Sequence, residues 1–196
     1  MVYGIFLDYL GLLLSAKTFW GHRNTHNSIQ HSHTIMIRNV TSADAQAITD
    51  IYNEYITHTT ISFETEPLSC GEMLERINSI SAEFPYYVYE DADGNIGGYC
   101  YVHKWKDREA YSRTLETTIY LAPGYQRRGI GSELMLRLID ECRHRGAVAL
   151  IACITGDNTA SIKMHSALGF EQMSHFKNVG IKFGKLLDVV DLELLL

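Results

Sequence analysis

Six consecutive residues, Gln126-Arg127-Arg128-Gly129-Ile130-Gly131, combine what an anion site needs. Gly129 and Gly131 let the backbone come close to a ligand, and the N–H groups of a helix starting there point at it. Arg127 and Arg128 bring positive charge to the same spot, so a diphosphate is the natural guest. Upstream, Glu116 stands in the stretch Thr114-Leu115-Glu116-Thr117-Thr118-Ile119-Tyr120-Leu121. A carboxylate among so many apolar and hydroxyl side chains has a raised pKa, which suits a general base. Downstream, Asn158, Ser161 and His165 are spaced i, i+3, i+7 and share one face of a short helix. Ala160, Met164 and Ala167 fall on another face, the expected core side.

These residues need a strand, a loop and two helices to hold them. Thr114–Leu121 is rich in β-branched and aromatic residues and reads as a strand, stopped by Pro123-Gly124. On it Glu116, Thr118 and Tyr120 share one face while Thr117, Ile119 and Leu121 share the other. From Ile130, apolar residues recur at Leu134, Leu138 and Cys142, with Met135 and Ile139 beside them, which is one helix face. Upstream, a first strand (35–40) precedes a helix capped by Thr41 or Ser42. Ser69 opens a second helix through Met73, Leu74, Ile77 and Ile80. Strands at 85–90 and 96–102 are joined by the hairpin turn Asp93-Gly94-Asn95, and a polar loop (104–111) leads into the Glu116 strand. After the Ile130 helix come a continuously apolar strand (148–154), a helix over 158–168 ended by Gly169, and two last strands (171–177 and 186–195). The expectation is one α/β domain over 36–196.

The loop lacks the Gly-Lys-Ser/Thr of a Walker A motif, and Leu134 stands where a dinucleotide fingerprint needs its third glycine. Gln-x-x-Gly-x-Gly between a strand and a helix instead resembles the coenzyme A loop of the GNAT N-acetyltransferase superfamily, as does the order of elements from Met36 to Leu196. Five separated segments are similar to the phosphinothricin and methionine sulfoximine N-acetyltransferase branch: 51–56, 63–67, 114–121, 165–170 and 179–188. The resemblance implies a mixed, mostly antiparallel sheet flanked by helices, with acetyl-CoA at the splay between the two central strands. It implies direct acetyl transfer to the amino group of a small amino-acid-like substrate in a ternary complex.

By that resemblance Glu116 is the catalytic base. His165 occupies the place where many relatives carry a tyrosine, and it is a candidate for thiolate protonation, proton relay or packing. The coenzyme is expected at Ile119, Tyr120, Leu121, Arg127, Arg128, Gly129, Ile130, Gly131, Ser132, Asn158 and Ser161. The acceptor is expected against Lys106, Asp107 and Arg108, with Glu116, Thr117 and Thr118 at the other edge and Phe63 as a wall. The branch often has aromatic or proline residues where this chain has Asp107 and Arg108, which leaves the exact amino acid open. Two other readings are a GNAT enzyme for protein N-termini, lysine or polyamines, and a coenzyme A-binding regulatory module without turnover. Positive charge in the 106–108 loop disfavours a cationic acceptor. Retention of Glu116 beside an intact loop disfavours a pure binder.

A formal net charge of -6 over 196 residues argues against a general nucleic-acid binder. The four cysteines include no Cys-x-x-Cys pair, which fits reduced thiols in a cytoplasmic protein and no metal site. The apolar run in 2–16 is broken by Asp8 and too short to span a bilayer, and 21–34 is polar with His22, His26, His31 and His33. Residues 1–35 therefore read as an extension outside the folded unit, disordered or not native to it. The apolar closing strand, 189–196, suits a homodimer edge.

Overall fold

The computed structural model describes residues 36–196, so the expectations for 1–35 lie outside the described residues. Its strands are β1 (Met36–Asn39), β2 (Tyr86–Glu90), β3 (Ile96–Lys104), β4 (Thr114–Leu121), β5 (Ala149–Thr155), β6 (Glu171–Gln172), β7 (Phe176–Lys182) and β8 (Lys185–Leu195). The helices are α1 (Ala45–His58), α2 (Cys70–Glu83), α3 (Ile130–His144) and α4 (Thr159–Ala167). Sequence signals placed most of these ends. Ser69 caps α2 in a capping box with Glu72, and Asn158 caps α4 by accepting from the Ser161 N–H.

All eight strands join one sheet in the order β1-β2-β3-β4-β5-β8-β6, with β7 also paired to β8. Every pairing is antiparallel except β4 with β5. That parallel pair matters most for function. It holds only from Thr114↔Ala149 to Glu116↔Ile151, after which the two strands diverge. From Thr117 onward the β5-side edge of β4 has no strand partner, which opens a gap in the middle of the sheet.

Helices cover both faces. On one, Leu134, Met135 and Leu138 of α3 are fully buried against Tyr87, Cys100, Val102, Leu150 and Ala152. Each such side chain stabilises the fold by ~1.5–3 kcal/mol relative to exposure. On the other, Ile48, Ile56, Met73 and Ile77 of α1 and α2 bury Tyr86, Val88 and Tyr99. Alternation along β4 therefore sends Glu116, Thr118 and Tyr120 toward the α1–α2 side, and Thr117, Ile119 and Leu121 toward the α3–α4 side.

Three expectations change. Two closing strands become three, because Ser174 turns the chain between β6 and β7: its hydroxyl donates to Asp191, and the Asp191 N–H donates back to it. The strand over 189–196 is not an edge, since β8 pairs with β5 on one side and with β6 and β7 on the other. Exposed apolar side chains lie instead on the β7–β8 hairpin, at Phe176, Val179, Ile181, Phe183 and Leu186. Finally, Ala160 and Ala167 of α4 are exposed, and His165 is the residue that helix buries. Ile162, Met164 and Leu168 flank it and pack, half-buried, against the α3-side core.

Candidate active site

Two connected depressions occupy the splay. The larger, about 730 Å³, runs from the start of α3 to α4 and is lined by Ile119, Tyr120, Leu121, Gln126, Arg127, Gly129, Gly131 and Ser132 on one side. Tyr55, Ile61, Asn158, Ala160, Ser161 and Met164 close the other. The smaller, about 130 Å³, passes between the diverging strands and reaches Glu116, Thr117, Thr118, Cys153, Thr155 and His165.

The loop before α3 is shaped by backbone need. Arg127 has φ 61° and Gly129, the residue capping α3, has φ 82°. That left-handed turn costs glycine nothing and aims the first helical N–H groups outward. Among the described residues, no acceptor meets the backbone N–H of Gly129, Ile130, Gly131 or Ser132. Four free donors at a helix N-terminus form an anion cradle. Space is tight at Gly131, where a Cβ would stand 3.0 Å from the Met164 sulfur across the cleft and Met164 would have to give way. Not every residue of the motif faces the ligand side. Ile130 is buried core, and Arg128 lies over the Tyr125 ring, 5.3 Å from its centroid.

Glu116 sits at the closed end of the splay. Burial pushes its carboxyl above the ordinary value, His103 pulls it down, and Asp191 pushes it up again. It pairs with neither Arg113 nor Arg108; the nearest cationic candidate is His103, at 4.0 Å. A half-buried carboxylate with a raised pKa lining a cavity has the chemistry a general base needs.

His165 is 1% exposed, and its ring packs edge-on against Phe170. Its Nδ1 lies 2.9 Å from the Ser161 carbonyl oxygen. A carbonyl only accepts, so Nδ1 carries the hydrogen. Burial lowers the pKa, so the ring is neutral at physiological pH and Nε2 holds a lone pair. Among the described residues, that Nε2 and the Thr155 hydroxyl are both buried without a partner, and both residues line the smaller cavity.

The 106–108 loop is placed differently from the expectation. Lys106, Asp107 and Arg108 are exposed and line neither depression. Lys106 lies 3.8 Å above the Trp105 ring, a cation–π contact that ties it to its own loop. Phe63 also stays out of both cavities and packs on Gly180 of β7, where a Cβ would meet its ring at 2.3 Å. The α1–α2 side supplies groups that sequence reasoning passed over. Tyr55 donates to the Leu121 carbonyl at 2.7 Å and walls the cleft. Arg76 pairs with Glu64 at 2.9 Å and lies over the Tyr52 ring. Lys182 of β7, also buried, donates to the Ser62 carbonyl and so pins the loop that carries Ile61 into both cavities.

Residues 37–190 match the family model "Acetyltransferase (GNAT) domain". The chain belongs to the GNAT acetyltransferase family. It is 41% identical over 157 residues to the phosphinothricin N-acetyltransferase of Alcaligenes faecalis, covering 79% of each chain. It is 34% identical to the L-methionine sulfoximine/L-methionine sulfone acetyltransferase of Salmonella typhimurium, covering 81% of this chain and 92% of that one. Among solved structures it is similar to a GNAT superfamily phosphinothricin acetyltransferase from Sinorhizobium meliloti in complex with acetyl-CoA. That match has a TM-score of 0.81 and 35% identity, over 83% of this chain and 89% of that one. This GNAT chain is thus an enzyme of the N-acetyltransferase type, with the mixed sheet and flanking helices expected of it. Among the described residues no group of His, Cys, Asp and Glu could hold a metal ion, and no helix is long and apolar enough to cross a membrane.

Proposed function

We propose that this GNAT enzyme transfers the acetyl group of acetyl-CoA to the amino group of a small amino acid of the phosphinothricin, methionine sulfoximine or methionine sulfone type, by direct attack in a ternary complex. The observation that carries this reading is Glu116, a carboxylate with a raised pKa at the end of a cavity that opens onto the anion cradle. Acetyl-CoA suits the larger cleft on the residues present. The free N–H groups of 129–132 and the Arg127 side chain take the diphosphate. The unpaired edge of β4, Thr117–Leu121, takes the extended pantetheine arm as an added half-strand, and Asn158 and Ser161 face it from α4. The apolar wall of Ile61, Ile119 and Met164 keeps water from the thioester.

Glu116 accepts a proton from the substrate ammonium, and the neutral amine attacks the thioester carbonyl. The C–N bond forms, the C–S bond breaks, and the departing thiolate takes up the second proton, which the nitrogen sheds as it becomes the amide. In its present tautomer His165 has no hydrogen on Nε2, so it accepts a hydrogen bond at the cavity rather than protonating the thiolate. Lys106 and Arg108, exposed and outside both cavities, contribute a positive field that attracts a carboxylate. Arg76, a half-buried guanidinium on the Glu116 side of the sheet, is a second candidate for holding that carboxylate, by exchanging Glu64 for it. The homologous acetyltransferases named above support the substrate class.

The exposed apolar β7–β8 hairpin fits a second copy of this chain, so the working unit is read as a homodimer, and light scattering on the purified protein tests it. The four free cysteines fit a reducing, cytoplasmic setting. Thiol release from acetyl-CoA with methionine sulfoximine, methionine sulfone, phosphinothricin and basic peptides tests the substrate class. Turnover of the amino acids, lost in Glu116→Gln, supports the proposal. Turnover of basic peptides alone overturns it in favour of protein acetylation, and acetyl-CoA binding with no turnover leaves a regulatory module.

A further inference from the structure

Glu116 has a neighbour that the chemistry above does not use. His103 of β3 stands opposite it across the β3–β4 pair, with Nε2 4.0 Å from Glu116 Oε1. The other ring nitrogen decides the tautomer. Nδ1 lies 2.9 Å from the Lys104 carbonyl oxygen, and since a carbonyl only accepts, Nδ1 carries a hydrogen whether the ring is neutral or charged. In the neutral ring the lone pair is on Nε2 and faces the carboxylate. Two lone pairs in that position repel unless a proton lies between them, so a proton on Glu116 has a second base waiting for it.

Position gives the pair a direction. Glu116 lines the cavity and His103 does not. The His103 side chain is 38% exposed, against 28% for Glu116. Cavity, carboxylate, imidazole and solvent therefore follow one another. The other ionisable groups near Glu116 cannot take this part. Tyr101 of β3 has its hydroxyl pushed up, chiefly by burial, and keeps its proton. Asp191 of β8 is a carboxylate that repels the Glu116 charge. The Cys153 thiol of β5, pushed up to about 12 by burial and then by Glu116 and Asp191, keeps its proton. An imidazole is the side chain suited to pass a proton on near neutral pH. The 4.0 Å separation is longer than a hydrogen bond, and catalytic contacts of this kind tighten when substrate binds.

We propose that His103 receives the proton that Glu116 removes from the substrate and hands it to solvent, acting through Glu116 rather than on the substrate. The inference rests on Glu116 being the base. In the step itself the ammonium N–H breaks and a Glu116 O–H forms. That O–H then breaks as the Nε2–H of an imidazolium forms, and the imidazolium gives the proton to water. Carboxylate and neutral imidazole are restored, with no electron transfer and no covalent adduct.

The test is the pH profile of kcat/KM for methionine sulfoximine in the full-length wild type, His103→Gln, His103→Ala and Glu116→Gln, with and without added imidazole. We expect His103→Gln to lose about tenfold in kcat/KM at pH 7, a modest share of what acid–base groups contribute, with acetyl-CoA affinity unchanged. Its acidic limb should move, because His103 draws the Glu116 carboxyl down in the wild type. Imidazole in the buffer should restore part of the activity of His103→Ala. Both variants within twofold of wild type, with an unmoved limb, would overturn the inference. If Glu116→Gln is inactive in that case, only the role of His103 falls; if Glu116→Gln also turns over normally, the base assignment falls with it.

Discussion

The cleft beside α3 and the cavity at Glu116 share five lining residues, Ile61, Ile119, Tyr120, Asn158 and Ser161, yet they are built from different materials. The coenzyme side is backbone: a left-handed glycine, the free N–H groups of a helix start, and a strand edge left unpaired by the splay. The side proposed for the acceptor is side chain: Glu116 from β4, Thr155 from β5 and His165 from α4, with His103 of β3 and the tyrosines of α1 and β3 behind them. Backbone donors serve any diphosphate-bearing carrier. Side chains drawn from several strands can be exchanged singly, so one face can stay constant while acceptor choice changes on the other.

If that division is right, the two sides fail separately. The largest effect is expected from Glu116→Gln, a loss of 10²- to 10⁴-fold in kcat/KM, the range for a positioned acid–base group. Acetyl-CoA affinity, read by calorimetry, should stay within about twofold of wild type. Loss of coenzyme binding in this variant would break the division.

Gly129→Val is the opposite probe. A β-branched residue at φ 82° stores ~1–3 kcal/mol of strain, so acetyl-CoA should bind about tenfold or more weakly, with acceptor KM at saturating coenzyme little changed. An unaltered acetyl-CoA affinity would mean that the cradle is not the diphosphate site.

The pH dependence sharpens the same contrast. Burial raises the Glu116 pKa, and the base works only when ionised, so kcat/KM should fall as pH drops through a value above the ordinary 4.5. Coenzyme affinity should not follow that limb, since the diphosphate is held by N–H groups and a guanidinium.

The smallest effect on activity is expected far from both sides. Arg38 donates to both Asp44 oxygens at 2.8 Å and to Glu90 at 2.6 Å. Burial pushes the Asp44 carboxyl up, but hydrogen bonds from Arg38 and Thr41 outweigh it and hold the pKa below 3.8. The pair therefore contributes stability that is present above pH 3.8 and lost as pH falls through the lower, folded value. Arg38→Met should cost about 1–3 kcal/mol in urea unfolding at pH 7, the range for leaving a buried polar group unpaired, with kcat/KM unchanged. A loss of activity there would tie the β1 corner to the site.

Much of this architecture was legible in the chain. The cap at Ser69, the Asp93-Gly94-Asn95 turn and the Ile130–Cys142 stripe are local signals, because propensity and periodicity act over a few residues. The glycine loop was legible for the same reason: positive φ and a helix start are properties of adjacent residues. The functions of Ala160 and Met164 were not. Helical spacing groups them on one face, and only packing decides whether that face meets a core or a cleft. The exposed loop at Lys106, Asp107 and Arg108 illustrates the opposite limit, where charge composition suggested a clamp and the Trp105 ring holds Lys106 to its own loop. His103 and Arg76 could not be singled out at all, since each gains meaning from a residue on another element.

By itself, the order of residues determined the GNAT fold, the anion cradle and the place of Glu116 on its strand, all short-range matters of backbone conformation and alternation. Tertiary structure alone decided where β4 and β5 part company and which side chains face Glu116. Those depend on partners brought together across the sheet, where a neighbouring strand's register sets His103 opposite Glu116, and no local pattern encodes such a meeting.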